Sequence, residues 1–201
     1  MKNAKIHRMV GIALLIGVMV VLQFLGTIFP IKIGPVSISL VLIPIVIGAA
    51  VYGPSAGAVL GAAFGILANI FCANGMDFGG HMVFQASPVM CIIVVMLKGI
   101  CCGLAAGWIY KLLANKNSYV AMLCAAIVCP VVNTGIFLLG MRLFFMDVLQ
   151  SWAGGSNVAG YVLTGIILVN FLPELALNVI VSPAAQRIIH VVQRTTARKA
   201  N

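Results

Sequence analysis

The stretch Ile43-Pro44-Ile45-Val46-Ile47-Gly48-Ala49-Ala50-Val51-Tyr52-Gly53-Pro54-Ser55-Ala56-Gly57 decides how the rest of the chain is counted. It lies inside an apolar run of about 35 residues, 37–71, which is too long for one bilayer crossing and short for two. Gly53-Pro54 breaks that run. Proline lacks a backbone N–H, and the first turn of a helix is where that donor is unpaired anyway, so Pro54 reads as the start of a new helix. With the break there, six apolar runs stand at about 8–29, 37–52, 54–71, 88–110, 119–146 and 159–182, followed by a basic tail at 183–201.

The expectation is one all-α integral membrane domain of six transmembrane helices covering 1–201. Charge orients it. Lys2, Lys5 and Arg8 precede the first run, Lys111 and Lys116 lie between the fourth and fifth, and Arg187, Arg194, Arg198 and Lys199 follow the sixth. Only Lys32 and Arg142 fall on the opposite side, and no acidic residue falls on the basic one. By the positive-inside rule both termini are cytoplasmic. A count of five would scatter these clusters over both faces.

Composition agrees. Of 201 residues 63% are hydrophobic and 7% charged, with a mean hydropathy of +1.18. A soluble domain needs roughly a quarter of its residues charged. The net charge of +9 would suggest nucleic acid in a soluble protein, but here the basic residues flank apolar runs and read as orientation signals and phospholipid contacts. Five of the six cysteines lie inside those runs without metal-ligand spacing, so no metal or other cofactor is implied. The first run is too long for a signal peptide and no small-x-small site follows it. Gly53-Pro54-Ser55-Ala56-Gly57 matches the G-x-S-x-G nucleophile pattern without its strand or a histidine partner. There is no phosphate-binding loop, so the chain does not hydrolyse ATP itself, and it reads as a non-enzyme.

Glycines recur at a spacing of four at Gly53, Gly57, Gly61 and Gly65, and again at Gly99, Gly103 and Gly107. That spacing puts each set on one helix face, where two backbones can approach closely and gain dispersion contacts that lipid does not replace. The first run carries Ala13 and Gly17, also four apart, readable either as internal packing or as a docking face for another membrane subunit.

Ionisable groups inside a bilayer cost about 2.5–3.5 kcal/mol each on insertion scales and are functional candidates by default. Lys98 lies in the fourth run and Glu174 in the sixth, at similar depth. Two readings stand: an ion pair that satisfies two buried charges, or Lys98 binding an anionic solute group with Glu174 orienting it. Asn133-Thr134 follows Pro130, and Asn170 precedes Pro173-Glu174, with Asn178 one turn on. Lys98, Asn133, Asn170 and Glu174 are expected to line one cavity, with His81, Arg142, Asp147 and Trp152 above it, and His81 and Arg142 join the four as expected substrate-binding residues. The outward connections, about 30–36, 72–87 and 147–158, are expected to be polar loops over that cavity.

Taken in order, these features resemble the substrate-binding S components of energy-coupling factor (ECF) vitamin transporters. The likeness rests on Ile43 to Gly57, on Lys98 ahead of Gly103 and Gly107, on Asn133-Thr134-Gly135, and on Asn170 to Glu174. It spans nearly the whole chain. The resemblance implies high-affinity binding of a small water-soluble vitamin in the outer half of the bundle, beneath the first and third outward loops. It also implies docking through Ala13 and Gly17 to a transmembrane coupling subunit driven by two cytoplasmic ATPase subunits. The family commonly has Ala-x-x-x-Ala where this chain has Ala-x-x-x-Gly. The aromatic-rich signature of thiamine binders and the Lys/Asp-rich stretch of riboflavin binders are absent, and the pattern resembles most the pantothenate-type or unassigned members; a carboxylate-bearing substrate would give Lys98 a role. The competing reading is a self-sufficient secondary transporter or channel, but the two halves show no inverted repeat.

Overall fold

The computed structural model describes residues 2–28, 39–155 and 157–200. Among these, every regular element is helical. The elements are α1 (Lys2–Ile28), α2 (Leu42–Tyr52), α3 (Pro54–Ala73), α4 (Phe78–Ala86), α5 (Pro88–Leu113), α6 (Ser118–Phe144) and α7 (Met146–Ala153). A last rod follows, made of α8 (Val158–Tyr161), a π-helical stretch Val162–Phe171 and α9 (Leu172–Ala200). Five helices among the described residues are long and apolar enough to cross a bilayer: Lys5–Gly26, Pro54–Ala73, Pro88–Leu113, Ser118–Phe144 and Val158–Arg187. The apolar helix Leu42–Tyr52 is shorter. It starts later than the sequence suggests, because Ser39 is irregular and Leu40 and Val41 form a turn ahead of it. The connection at 30–36, with Lys32, expected to face outward, lies outside the described residues.

The break at Gly53-Pro54 is real. Gly53 has φ +89°, a conformation that side-chain-bearing residues rarely adopt, and Pro54 opens α3. The chain turns sharply there and α3 leaves in a new direction. The tightest packing in the fold follows. A Cβ on Gly57 would strike the backbone carbonyl of Gly103, one on Gly61 that of Gly99, and one on Gly107 the backbone of Pro54. Glycine is required at this contact because backbone meets backbone, and α3 and α5 share the most extensive contact of any two elements. Around this pair, α2, α6 and α9 close an apolar cluster that includes Leu42, Ile45, Leu60, Cys102, Met122 and Cys129. A second cluster, with Val83, Val95, Met141, Leu149 and Ile166, fills the end of the bundle formed by α4, α5, α6 and α7. By contrast α1 is peripheral: only 6% of its apolar span is buried.

Two of the connections expected to face outward are not plain loops. The 72–87 segment contains α4 and the 147–158 segment contains α7. Gly75, at φ +72°, ends α3 in a turn in which the N–H groups of Met76 and Asp77 bond back to Phe71 O. That reversal lays α4 against the end of α3. The glycines of 79–80 are not helix breakers there: a Cβ on Gly80 would run into Cys72 Sγ and Asp77, so glycine lets α4 sit close. Trp152 Nε1 of α7 donates to Met82 Sδ of α4 at 3.3 Å and joins the two short helices.

The sequence 183–201 is not a separate tail, because α9 runs through Pro183. An internal proline removes the N–H that would bond the carbonyl four residues back. Ser182 Oγ donates to that carbonyl, Val179 O, at 2.8 Å, and the helix continues.

Substituting Gly61 with alanine places a methyl group where the α5 backbone lies, and the expected cost is about 1–3 kcal/mol of overpacking. Gly135→Ala on α6 meets nothing within 4 Å and is the control, neutral or slightly stabilising. Thermal unfolding in detergent measures both; equal midpoints for the two variants would contradict the clamp.

Candidate functional site

A cavity of about 100 Å³, measured at the centres of water-sized spheres, opens between the two apolar clusters. At the roughly 10–15 Å³ that one water needs on this measure, it has room for several waters or a small solute. The α3–α5 clamp supplies one wall, Phe64, Ala68 and Cys72 from α3 and Cys91, Val95 and Lys98 from α5. The α6 helix adds Asn133, Thr134 and Phe137. The last rod adds Ile166, Asn170 and Glu174. Asp77 with α4, and Trp152 of α7, line the end away from the basic 114–117 connection, while Gln23 of α1 and Ser39 complete the lining.

Local sequence explains why Asn170 and Glu174 reach this space. Pro173 cannot donate to the carbonyl four residues earlier and its ring crowds that carbonyl. The preceding segment answers by widening to a π-helix, with the N–H of Leu172 bonding Ile167 O, five residues back. Asn170 and Glu174 then lie on one face, and both are buried. The face continues beyond the cavity. Asn178 bonds Glu174 O at 2.9 Å, Ser182 satisfies the carbonyl already described, and Gln186 accepts from Tyr110 Oη at 3.3 Å. These three are held by helix or neighbour and do not line the cavity.

The four residues singled out as cavity-lining in the sequence, Lys98, Asn133, Asn170 and Glu174, are gathered around this one space. Lys98 and Glu174 nevertheless form no ion pair. The Lys98 ammonium sits over the rings of Phe137 at 5.1 Å and Phe64 at 5.7 Å, a cation–π arrangement. Glu174 is 3% exposed, and its Oε1 has no hydrogen-bond partner. Asn133 Oδ1 and Ser39 Oγ are likewise buried without a partner. Buried polar atoms are normally paired, because an unpaired one costs about 1–3 kcal/mol. Three of the four such atoms among the described residues, all but Asn69 Oδ1, belong to residues that line this one cavity.

His81 and Arg142 do not line the cavity. His81 staples α4 to the end of α3: a carbonyl only accepts, so Nδ1–H donates to Cys72 O at 2.8 Å, and Nε2 accepts from Gln85 Nε2 at 2.9 Å. Arg142 is exposed near the end of α6, and Asp147 is exposed on α7. Trp152, expected above the cavity, is part of its wall. The sequence reading missed Gln23, Ser39, Asp77, Phe64 and Phe137. Gln23 was findable by the same polar-in-apolar logic that picked Asn133; the two phenylalanines carry no sequence signal that separates them from lipid-facing ones.

The family model for the ECF transporter substrate-specific component matches residues 7–185, nearly the whole chain. The chain belongs to this family. A search of curated proteins gives no match. As an S component it is the substrate-specific subunit of an ECF transporter and a multi-pass membrane protein, and membership implies a small-molecule substrate and the partners of an ECF module, ATPases and a transmembrane coupling subunit. Its docking candidates Ala13 and Gly17 both face outward, and nothing lies within 4 Å of a Cβ built on Gly17. Gly11, on another face of α1, packs against the Tyr52 side chain.

Glu174 holds a buried carboxylate oxygen without a partner in the protein. Glu174→Met, which keeps the volume and removes that group, is expected to raise the unfolding midpoint of the empty protein, by about 2–4 °C for each kcal/mol gained. Differential scanning calorimetry of ligand-stripped protein decides it, and a lower midpoint would show that Glu174 is already satisfied.

Proposed function

We propose that this S component binds a small water-soluble vitamin bearing a carboxylate, pantothenate-type in chemistry, and delivers it for ATP-driven uptake. The observation that carries the reading is the cavity itself, where Lys98 has no carboxylate partner and unpaired oxygens of Glu174 and Asn133 face the same space. A ligand carboxylate would take the Lys98 ammonium from between Phe64 and Phe137 and give a charge-assisted hydrogen bond. Phe64, Phe137 and Trp152 supply apolar surface for the ligand body. His81 and Arg142 lie outside this lining, so His81 would act by fixing α4 and Arg142 by anchoring at the membrane interface.

Orientation follows from charge. Six crossings are proposed, with Leu42–Tyr52 as a short second one, both termini cytoplasmic and the whole chain one membrane domain. The cavity then opens toward the outer half, because its Asp77 and Trp152 end is opposite the connection that carries Lys116. The α1 face with Ala13 and Gly17 would dock the coupling subunit, two cytoplasmic ATPase subunits would supply the energy, and the lipid-exposed remainder of α1 suits a helix that exchanges lipid for protein.

Affinity purification of the tagged chain from its native membrane is expected to bring down the coupling subunit and both ATPases, and native mass spectrometry to find a retained vitamin. Gly17→Leu fills the outward notch and is expected to abolish co-purification while leaving ligand retention intact. Undiminished assembly of that variant would count against docking through this face. A C-terminal epitope tag should be reached by antibody only after cells are permeabilised; labelling of intact cells would reverse the orientation.

A further inference from the structure

The cavity contains two opposite charges that do not meet. Lys98 has three N–H donors, and its ammonium is held by two aromatic faces without a carboxylate. Glu174, on a different helix, has an oxygen that only accepts and that receives nothing, and Asn133 Oδ1 is a second unfilled acceptor on the same cavity. The Glu174 side chain is more than nine-tenths buried, so water does not solvate it freely. If the purpose of the two charges were mutual neutralisation, a long lysine stem and a cavity between them would let them pair. They remain apart, on the α5 and α9 sides, with the asparagines of α6 and the π-helix in the same lining.

From this we infer that the substrate is bipolar: an anionic group on Lys98, and at its other end a group rich in N–H or O–H donors that fills Glu174 Oε1 and Asn133 Oδ1. The inference deepens the proposed function and rests on it. The two ends have different physics. The Lys98 end is a single flexible ammonium over two rings, which attracts any anion. The Glu174 end is rigid, because Pro173 and the π-helical turn fix the backbone and Asn178 binds the Glu174 carbonyl. A rigid, desolvated acceptor rejects a ligand that lacks a donor, since the oxygen then stays unpaired. Selectivity therefore sits at the donor end, and the anionic end supplies attraction.

Isothermal titration of the full-length protein in detergent, with three groups of probes, tests this. Pantothenate and biotin carry a carboxylate and, far from it, O–H or N–H donors; lipoate and nicotinate carry a carboxylate without such donors; thiamine and pyridoxine carry donors without a carboxylate. Binding is expected only in the first group. For the best binder, Lys98→Met is expected to weaken binding about ten- to a hundredfold, and Glu174→Met, which removes the acceptor, by a similar factor. Replacing the ligand carboxylate by a carboxamide should abolish the effect of Lys98→Met and leave that of Glu174→Met intact, since the two ends act separately. Circular dichroism and unfolding midpoints separate loss of binding from loss of fold. Lipoate or nicotinate binding as tightly as the first group would overturn the bipolar inference while leaving a vitamin-binding subunit. A Glu174→Met variant with wild-type affinity would also overturn it. No binding by any probe, together with no ligand retained through purification, would overturn the proposed function and this inference with it.

Discussion

Backbone-to-backbone contact between α3 and α5 is the constraint on which the rest of the site depends. Gly57 meets Gly103 and Gly61 meets Gly99 so closely that no side chain fits between them. In lipid there is little hydrophobic gain in bringing two apolar helices together, so contact has to come from dispersion at short range, and only glycine permits that range. One consequence is positional. Phe64 and Lys98 are on these same two helices, one on each side of the clamp, so the clamp fixes where an aromatic face and an ammonium meet.

The bilayer imposes the second constraint. Polar side chains in the membrane interior turn inward, because lipid offers them no partner. Gln23, Ser39, Lys98, Asn133, Asn170 and Glu174 come from separate elements, and one cavity takes all of them. The same pressure explains Asn178, Ser182 and Gln186, which lie further along the last rod and are satisfied by a carbonyl or by Tyr110. Three of the four buried side-chain oxygens without a partner among the described residues, those of Ser39, Asn133 and Glu174, are on the cavity, and the fourth, Asn69 Oδ1, is outside its lining.

Prolines shape the fold without breaking it. Pro54 starts a helix, Pro173 coincides with a π-helical stretch, and Pro183 is bridged by a serine hydroxyl. The middle case matters for function, since a π-turn changes which face of the rod Asn170 and Glu174 present to the cavity. The short helices α4 and α7, tied together through Trp152 and Met82, cover the same end of the bundle and bring Asp77 and Trp152 into the wall.

The sequence alone determined the class of the protein and the location of its polar residues. Hydropathy depends only on composition along the chain, glycine spacing of four depends only on helix periodicity, and a lone lysine or glutamate in an apolar run is visible whatever its neighbours. Hence the Gly53-Pro54 break, the two glycine stripes and the quartet of Lys98, Asn133, Asn170 and Glu174 were legible before any coordinates. Only the tertiary structure decided that Lys98 rests on Phe64 and Phe137 and not on Glu174, that His81 bonds Cys72 O away from the cavity, and that the connections at 72–87 and 147–158 carry the short helices α4 and α7. Those outcomes depend on contacts between residues far apart in the chain. A phenylalanine facing an ammonium and one facing lipid are written with the same letter.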